Sequence, residues 1–399
     1  MTNINNEHTK KAAKVITFAA LTAIFSYSFV MAIPSVLLNY IVYEFALVGA
    51  GEGIMASLVN VGFMLSLIIV PIIAGRVQKI TMIIFACVMQ AVILLVGGFS
   101  PTFFIFGAVC VLLGVVAGFI DAGTNSVIID VRKSESPKYL GYLHGLFGVG
   151  SLLAPMLFLW LLLFTDWRGI FYFLAAISLL VVLLIYTIVR KSINKEVASE
   201  TKEHTNSKAE LIEYLRNKRN ITLALAGIFV TFSWTGVPVW IVRYMTIRFD
   251  AAVLGATAFS AFWLCATANR FLMSQLVKRA PLKFFILGSA LFAVVLTLGV
   301  MSSSAIVLLV AVGLLGFCGG HFVPVLVSEC AVGYEGKTGF TTSFIMFVTG
   351  IPRIIAPLII AYIATQLSTT FSMLISAITA IIAAFFAVLA IRYTNTKTA

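Results

Sequence analysis

Apolar segments long enough to cross a bilayer recur along almost the whole chain, and no other feature constrains its fold as strongly. A helix needs about 20 apolar residues to span the hydrocarbon core. Segments of that kind lie at 15–42, 51–74, 80–99, 102–130, 139–164 and 168–190. They resume at 221–247, 252–276, 282–302, 304–330, 339–365 and 369–391, giving spans 1 to 12. Only SPT (100–102) and SSS (302–304) divide spans 3 from 4 and 9 from 10. Of the 399 residues, 61% are hydrophobic and 11% charged, against about 25% charged in a soluble domain. The expected fold is an all-α integral membrane protein with lipid as the solvent of its outer face.

The net charge of +12 does not point to nucleic acid, because the basic residues sit in short loops on alternate connections. Of the 27 Lys and Arg, 23 fall on the side that holds both termini; the others are Arg168, Arg243, Arg248 and Arg353. By the positive-inside rule both termini are expected in the cytoplasm, in a multi-pass protein of the cell's cytoplasmic (inner) membrane. The cysteines, Cys87, Cys110, Cys265, Cys318 and Cys330, form no CxxC, and His8, His144, His204 and His321 have no metal-ligand spacing. No cofactor or metal is expected. The N-terminal MTNINNEHTKKAAK has no short apolar core with a cleavage site, so no removable signal peptide is expected. There is no P-loop, catalytic triad or dinucleotide fingerprint, and an enzyme is not expected.

The one sizeable polar stretch divides the chain into a six-helix bundle at 1–190, a linker at 191–219 and a second six-helix bundle at 220–399. Within the linker, Ser207 and Glu210 have capping-box spacing, and Leu211 and Leu215 then share a helical face. A short amphipathic helix along the inner membrane surface is expected there.

The two bundles repeat. LLGVVAGFIDA from Leu112 aligns with LLGFCGGHFVP from Leu314, so that Gly114 and Gly118 match Gly316 and Gly320. At the same offset Gly148 matches Gly350, and Pro155 matches Pro357. FSYS (25–28) corresponds to FSWT (232–235), and Pro34 to Pro238. This pattern of two six-span halves resembles the parallel repeat of the major facilitator superfamily, in which a solute site lies between the halves near mid-membrane.

Spans 4 and 5 carry a narrower likeness. GFIDAGTN (118–125) and YLHGLFGVGSLLAP (142–155), with Trp240 and Tyr244 in span 7, resemble the fucose permease-like sugar symporters and their sodium-dependent glucose transporter relatives. The chain departs from that branch after span 2, where GRVQKIT has no Asp, and in span 1, which has no acid. The resemblance implies a secondary active transporter moving a small polar solute, a sugar first, by cation symport with alternating access. The cation would be H⁺, or else Na⁺, and the protein a monomer. An exporter of drugs or metabolites, or an organic-anion transporter, is the alternative; the run GVGSLLAP (148–155) lacks the GPxxGG-like pattern of such exporters.

Asp121 is the first candidate for chemistry. A charge at the centre of a membrane helix costs about 2.5–3.5 kcal/mol on insertion scales, so it is kept where water or a partner reaches it. Its proton affinity depends on hydration, which is what a proton carrier requires. Asn125 follows one turn later on the same face, placed to bind solute hydroxyls or to orient the acid. His144 is a candidate relay for the same proton. Tyr27, Trp234, Trp240 and Trp263 could stack on a sugar ring. Asn60, Gln90, His321 and Arg353 are further intramembrane polar groups that could contact solute, and Arg353 would suit an anion. Arg76, Asp130, Arg132, Arg270 and Glu329 border inner loops and are expected to act in gating.

Overall fold

A computed structural model of the chain describes residues 2–74, 77–132, 135–192, 212, 214–334 and 338–395. Twelve helices among them are long and apolar enough to cross a membrane. They are α1 (Thr2–Val36), α2 (Ala50–Ala74), α3 (Lys79–Gly98), α4 (Phe103–Arg132), α5 (Ser136–Leu161) and α6 (Trp167–Ser192). Then come α7 (Lys218–Phe249), α8 (Ala252–Leu272), α9 (Pro281–Met301), α10 (Ala305–Ala331), α11 (Thr338–Gln366) and α12 (Thr369–Asn395). The protein is thus an all-α, multi-pass membrane protein. The Ser207–Glu210 box and Leu211 lie outside the described residues, as does Arg76.

Three spans differ from their expected outlines. Span 1 is not one helix to residue 42: α1 ends at Val36 and a separate helix covers Leu38–Glu44. Pro34 lies in the last turn of α1 and cannot donate to the preceding turn, which bends the chain there. Span 8 ends at Leu272, followed by a short helix at Ser274–Val277. Span 10 is two helices, Ala305–Gly319 and Phe322–Ala331, interrupted at Gly320 and His321. The Gly319-Gly320 pair is poor helix former, and tertiary partners occupy the groups freed at the break.

The chain folds as two compact units, Met1–Ile41 with Leu58–Lys202, and Val42–Ser57 with Glu203–Ala399. Their internal packing follows one plan. In the first unit α1 packs on α4, α5 and α6, and α3 packs on α4 and α6. In the second unit α7 packs on α10, α11 and α12, and α9 packs on α10 and α12. Each of these pairs in one unit is therefore matched by the pair six spans away in the other. The same holds for prolines inside helices: Pro34 in α1 and Pro238 in α7, Pro155 in α5 and Pro357 in α11.

Glycines make a close helix contact in each unit. A Cβ on Gly114 of α4 would lie 2.0 Å from the Val59 carbonyl oxygen of α2, and one on Gly62 would lie 1.8 Å from that of Val111. In the second unit a Cβ on Gly316 of α10 would lie 2.0 Å from the Phe262 carbonyl oxygen of α8. One turn on, Gly118 meets Ser66 and Gly320 meets Ala266 and Asn269. The aligned glycines thus perform the same packing task, backbone against backbone, as small residues do between membrane helices.

Candidate functional site

Asp121 sits well inside α4, half-buried in a helix that is otherwise apolar between Phe103 and Thr124. It continues the stripe begun by Gly114 and Gly118. Asn125 Nδ2 donates to the Asp121 carbonyl at 2.8 Å and lies 3.4 Å from its carboxylate Oδ1. The amide therefore turns toward the acid, and Thr124 Oγ1 returns to the Ile120 carbonyl at 2.7 Å. The pair expected from the sequence is brought together. His144 lies on α5, two turns in, and is exposed. In the same unit Tyr27 of α1 is buried against the Phe147 ring of α5, centroids 5.4 Å apart. Asn60 is half-buried on α2.

Gln90 has a different setting. It is 1% exposed, and its Nε2 donates to Ser178 Oγ at 2.8 Å and Ser26 Oγ at 3.1 Å. Ser26 and Ser178 are buried too. This knot ties α1, α3 and α6, and it satisfies the amide donor inside the unit.

In the second unit the aromatic candidates converge. Trp234 of α7 meets Phe262 of α8 at 4.5 Å between centroids, Trp263 at 6.4 Å, and Phe322 of α10 at 6.0 Å. Its ring fills the space that Gly319 leaves beside the break in α10. His321 stands at that break, buried. Its Nδ1 is 3.2 Å from Asn269 Oδ1 of α8, and its Nε2 is 3.0 Å from the Phe284 carbonyl of α9. Arg270 Nε donates to the Gly320 carbonyl at 3.0 Å. Arg270 therefore serves a carbonyl at the interruption of α10, and His321 ties the break to α8 and α9. Arg353 is half-buried midway along α11, one residue after Pro352.

The charges expected at the inner loops pair within their own units. Asp130 accepts from Lys79 Nζ at 2.6 Å, in a pair about one-third exposed. Arg132 donates to Thr17 Oγ1 at 2.7 Å and stacks on the Tyr139 ring at 3.9 Å. Glu329 pairs with Arg219 at the start of α7, 2.5 Å, side chains 14% and 10% exposed. Beside it Tyr214, at the end of the linker, is fully buried between Tyr334 and Phe344. Its hydroxyl donates to the Cys330 carbonyl at 3.2 Å, and burial pushes the phenol above its ordinary value.

Sequence reasoning passed over Arg219 as a linker charge, and over the pair Glu52 and Arg243. Arg243 Nη2 and Nε donate to Glu52 Oε1 and Oε2 at 2.8 and 3.0 Å. A signal existed: Arg243 is one of only four basic residues off the charge-rich side, and it lies inside an apolar segment. Beside the pair is a cavity of about 100 Å³, with Trp240, Tyr244, Thr365 and Ser372 among its walls.

Comparison with known proteins follows the same lines. No curated protein matches the chain. Among solved structures, a bacterial homolog of the human lysosomal transporter Spinster, inward-facing and unoccupied, superposes with TM-score 0.70 at 14% identity, covering 97% of both chains. Its occupied inward-facing form gives TM-score 0.69 at 14% identity, over 95% of this chain and 96% of that one. The human organic anion transporter MFSD10 (TETRAN) gives TM-score 0.65 at 14% identity, over 95% and 99%. At that identity the likeness is one of fold. The family model of the Major Facilitator Superfamily matches residues 18–326. With twelve spans in two repeated bundles and most of the chain under that match, this protein belongs to the Major Facilitator Superfamily.

Proposed function

We propose that the protein is a secondary active transporter that moves a small polar solute by cation symport, with Asp121 as the coupling carboxylate. The observation that carries this reading is the Asp121–Asn125 pair: a half-buried acid deep in an apolar helix, with an amide turned toward it at 3.4 Å. Such an acid is neutral when dry and ionised when wet. Alternating access wets it from one side and then the other, so one proton moves with each cycle. H⁺ is the first cation for this role and Na⁺ the second.

A sugar is the leading solute. The likeness of spans 4 and 5 to the fucose permease-like branch supports it, together with aromatic faces at Tyr27, Trp234 and Trp263. Trp240 lines the small cavity described above. We assign Gln90 and His321 to packing, because both are engaged inside their own units. Asn60 and Asn125 remain the amides for solute hydroxyls, and His144 the relay. The distribution of basic residues supports cytoplasmic termini, in a monomer of the cell's cytoplasmic membrane. The six-span bundles at 1–190 and 220–399 are the bodies that rock, with 191–219 as their tether.

A second reading, transport of an organic anion, is favoured by the half-buried Arg353 midway along α11. The organic anion transporter among the similar structures is in keeping with it. Proteoliposomes with an internal pH dye, challenged with a panel of sugars and organic anions, test both. Acidification on addition of one sugar, absent in Asp121→Asn, supports sugar symport. A response confined to anions, lost in Arg353→Gln, supports the second reading and overturns the first.

A further inference from the structure

The opening of α2 belongs by sequence to the first six-span bundle, yet residues Val42–Ser57 pack as part of the second unit, and the rest of α2 is in the first. Beside the buried Val42 and Met55, small and polar groups hold this segment there. Gly49, in the left-handed region at φ +57°, abuts Thr365 of α11. One turn on, a Cβ at Gly53 would lie 2.9 Å from the Leu358 Cα and 2.8 Å from the Ala361 Cβ. One turn further, Ser57 Oγ donates to the Ile354 carbonyl at 2.8 Å, one turn before Pro357 of α11. Glu52, on the same stretch, takes the bidentate grip of Arg243 from α7.

A contact of this make-up is separable. Its named contacts are glycine, hydroxyl and ion-pair contacts, and Val42 and Met55 are the apolar side chains it buries. Water can replace the hydroxyl bond and solvate both members of the ion pair, whose side chains are already 15% and 20% exposed. The fork geometry of Arg243 gives the closed state one register. The cavity next to the pair is lined by Trp240, whose indole N–H is buried with no partner among the described residues, and by Ser372, which is 2% exposed. In the proposed orientation this end of the protein faces away from the cytoplasm.

We infer that Glu52 and Arg243 form a latch that keeps the non-cytoplasmic side closed, and that its release lets the start of α2 leave the second unit and opens the cavity at Trp240 to the outside. The inference rests on the transport reading. Labelling of Ser372→Cys by a membrane-impermeant maleimide in intact cells reads it directly, with Ser289→Cys, buried in α9, as the folding control. With the latch intact, Ser372→Cys labels slowly. In Glu52→Gln or Arg243→Gln it labels roughly tenfold faster, the shift expected when a modest bias between two states is removed, while Ser289→Cys stays slow. The charge exchange Glu52→Arg with Arg243→Glu restores slow labelling. An unchanged rate at Ser372→Cys in both single variants overturns the latch. So does an equal rise at Ser289→Cys that the charge exchange fails to reverse. The readout needs no solute, so its failure leaves the symport reading standing, and that reading fails separately in the flux experiment.

Discussion

In the proposed cycle Asp121 has to be dry enough to hold a proton and wet enough to lose one, and its half-buried place on α4 suits both demands. Asn125 holds the carboxylate from one turn away. In this account Asn125→Ala leaves coupling intact but weakens apparent solute affinity by roughly tenfold, the scale of one lost hydrogen bond to a neutral partner; uptake kinetics check it. The paired charges differ in what they hold. Arg219 and Glu329 are largely buried, so Arg219→Ala strands a carboxylate at a cost of roughly 3 kcal/mol. Lys79→Ala breaks an exposed pair worth about 0–1 kcal/mol. The melting temperature of the purified protein should fall clearly for the first and little for the second. Legibility at this scale was uneven for a physical reason. Hydropathy gives the depth of a polar residue and not the side of the helix it faces. Asp121 and Asn125 were visible as a pair because both are on one helix. Gln90 looked like a solute contact, and its two serine partners come from helices 64 and 88 residues away. Glu52 was passed over because its partner is 191 residues on.

Among the helices, the glycine contacts decide whether a unit assembles. Valine at Gly114 or Gly316 would drive two methyl groups into a carbonyl of the neighbouring helix. Overpacking of this kind costs about 1–3 kcal/mol where side chains can yield, and more where backbone cannot. Gly114→Val and Gly316→Val should each abolish the monodisperse peak in fluorescence-detected size exclusion, whereas Gly141→Ala, with open space around it, should leave it unchanged. The break in α10 gives a second expectation. His321→Ala should lower the melting temperature, by freeing Asn269 and the Phe284 carbonyl, and leave apparent solute affinity unaltered. A loss of affinity with unchanged stability would return His321 to the solute site. The spacing of these glycines was legible as a repeat, and their shared task was not, because a carbonyl on another helix leaves no mark in the local pattern. The interruption at Gly320 and His321 was missed for the opposite reason: the hydropathy of residues 304–330 is continuous across it.

The whole molecule repeats one packing plan, α1 to α6 and α7 to α12, within a fold that length, hydropathy and the repeat had already outlined. The basic residues add an orientation. A protease-sensitive tag at either terminus should be cut only from the cytoplasmic side, and cleavage from outside at one end alone would contradict the even number of spans. The central claim is that Asp121 couples the cation to the solute and does not merely bind it. It is tested most directly by measuring two activities in the same proteoliposomes: uphill solute uptake driven by a pH gradient, and solute exchange with no gradient. The account predicts that Asp121→Asn abolishes uphill uptake and keeps exchange, because the neutral amide imitates the protonated, transport-ready carboxyl. Uphill uptake by Asp121→Asn at the rate of the unaltered protein would contradict it.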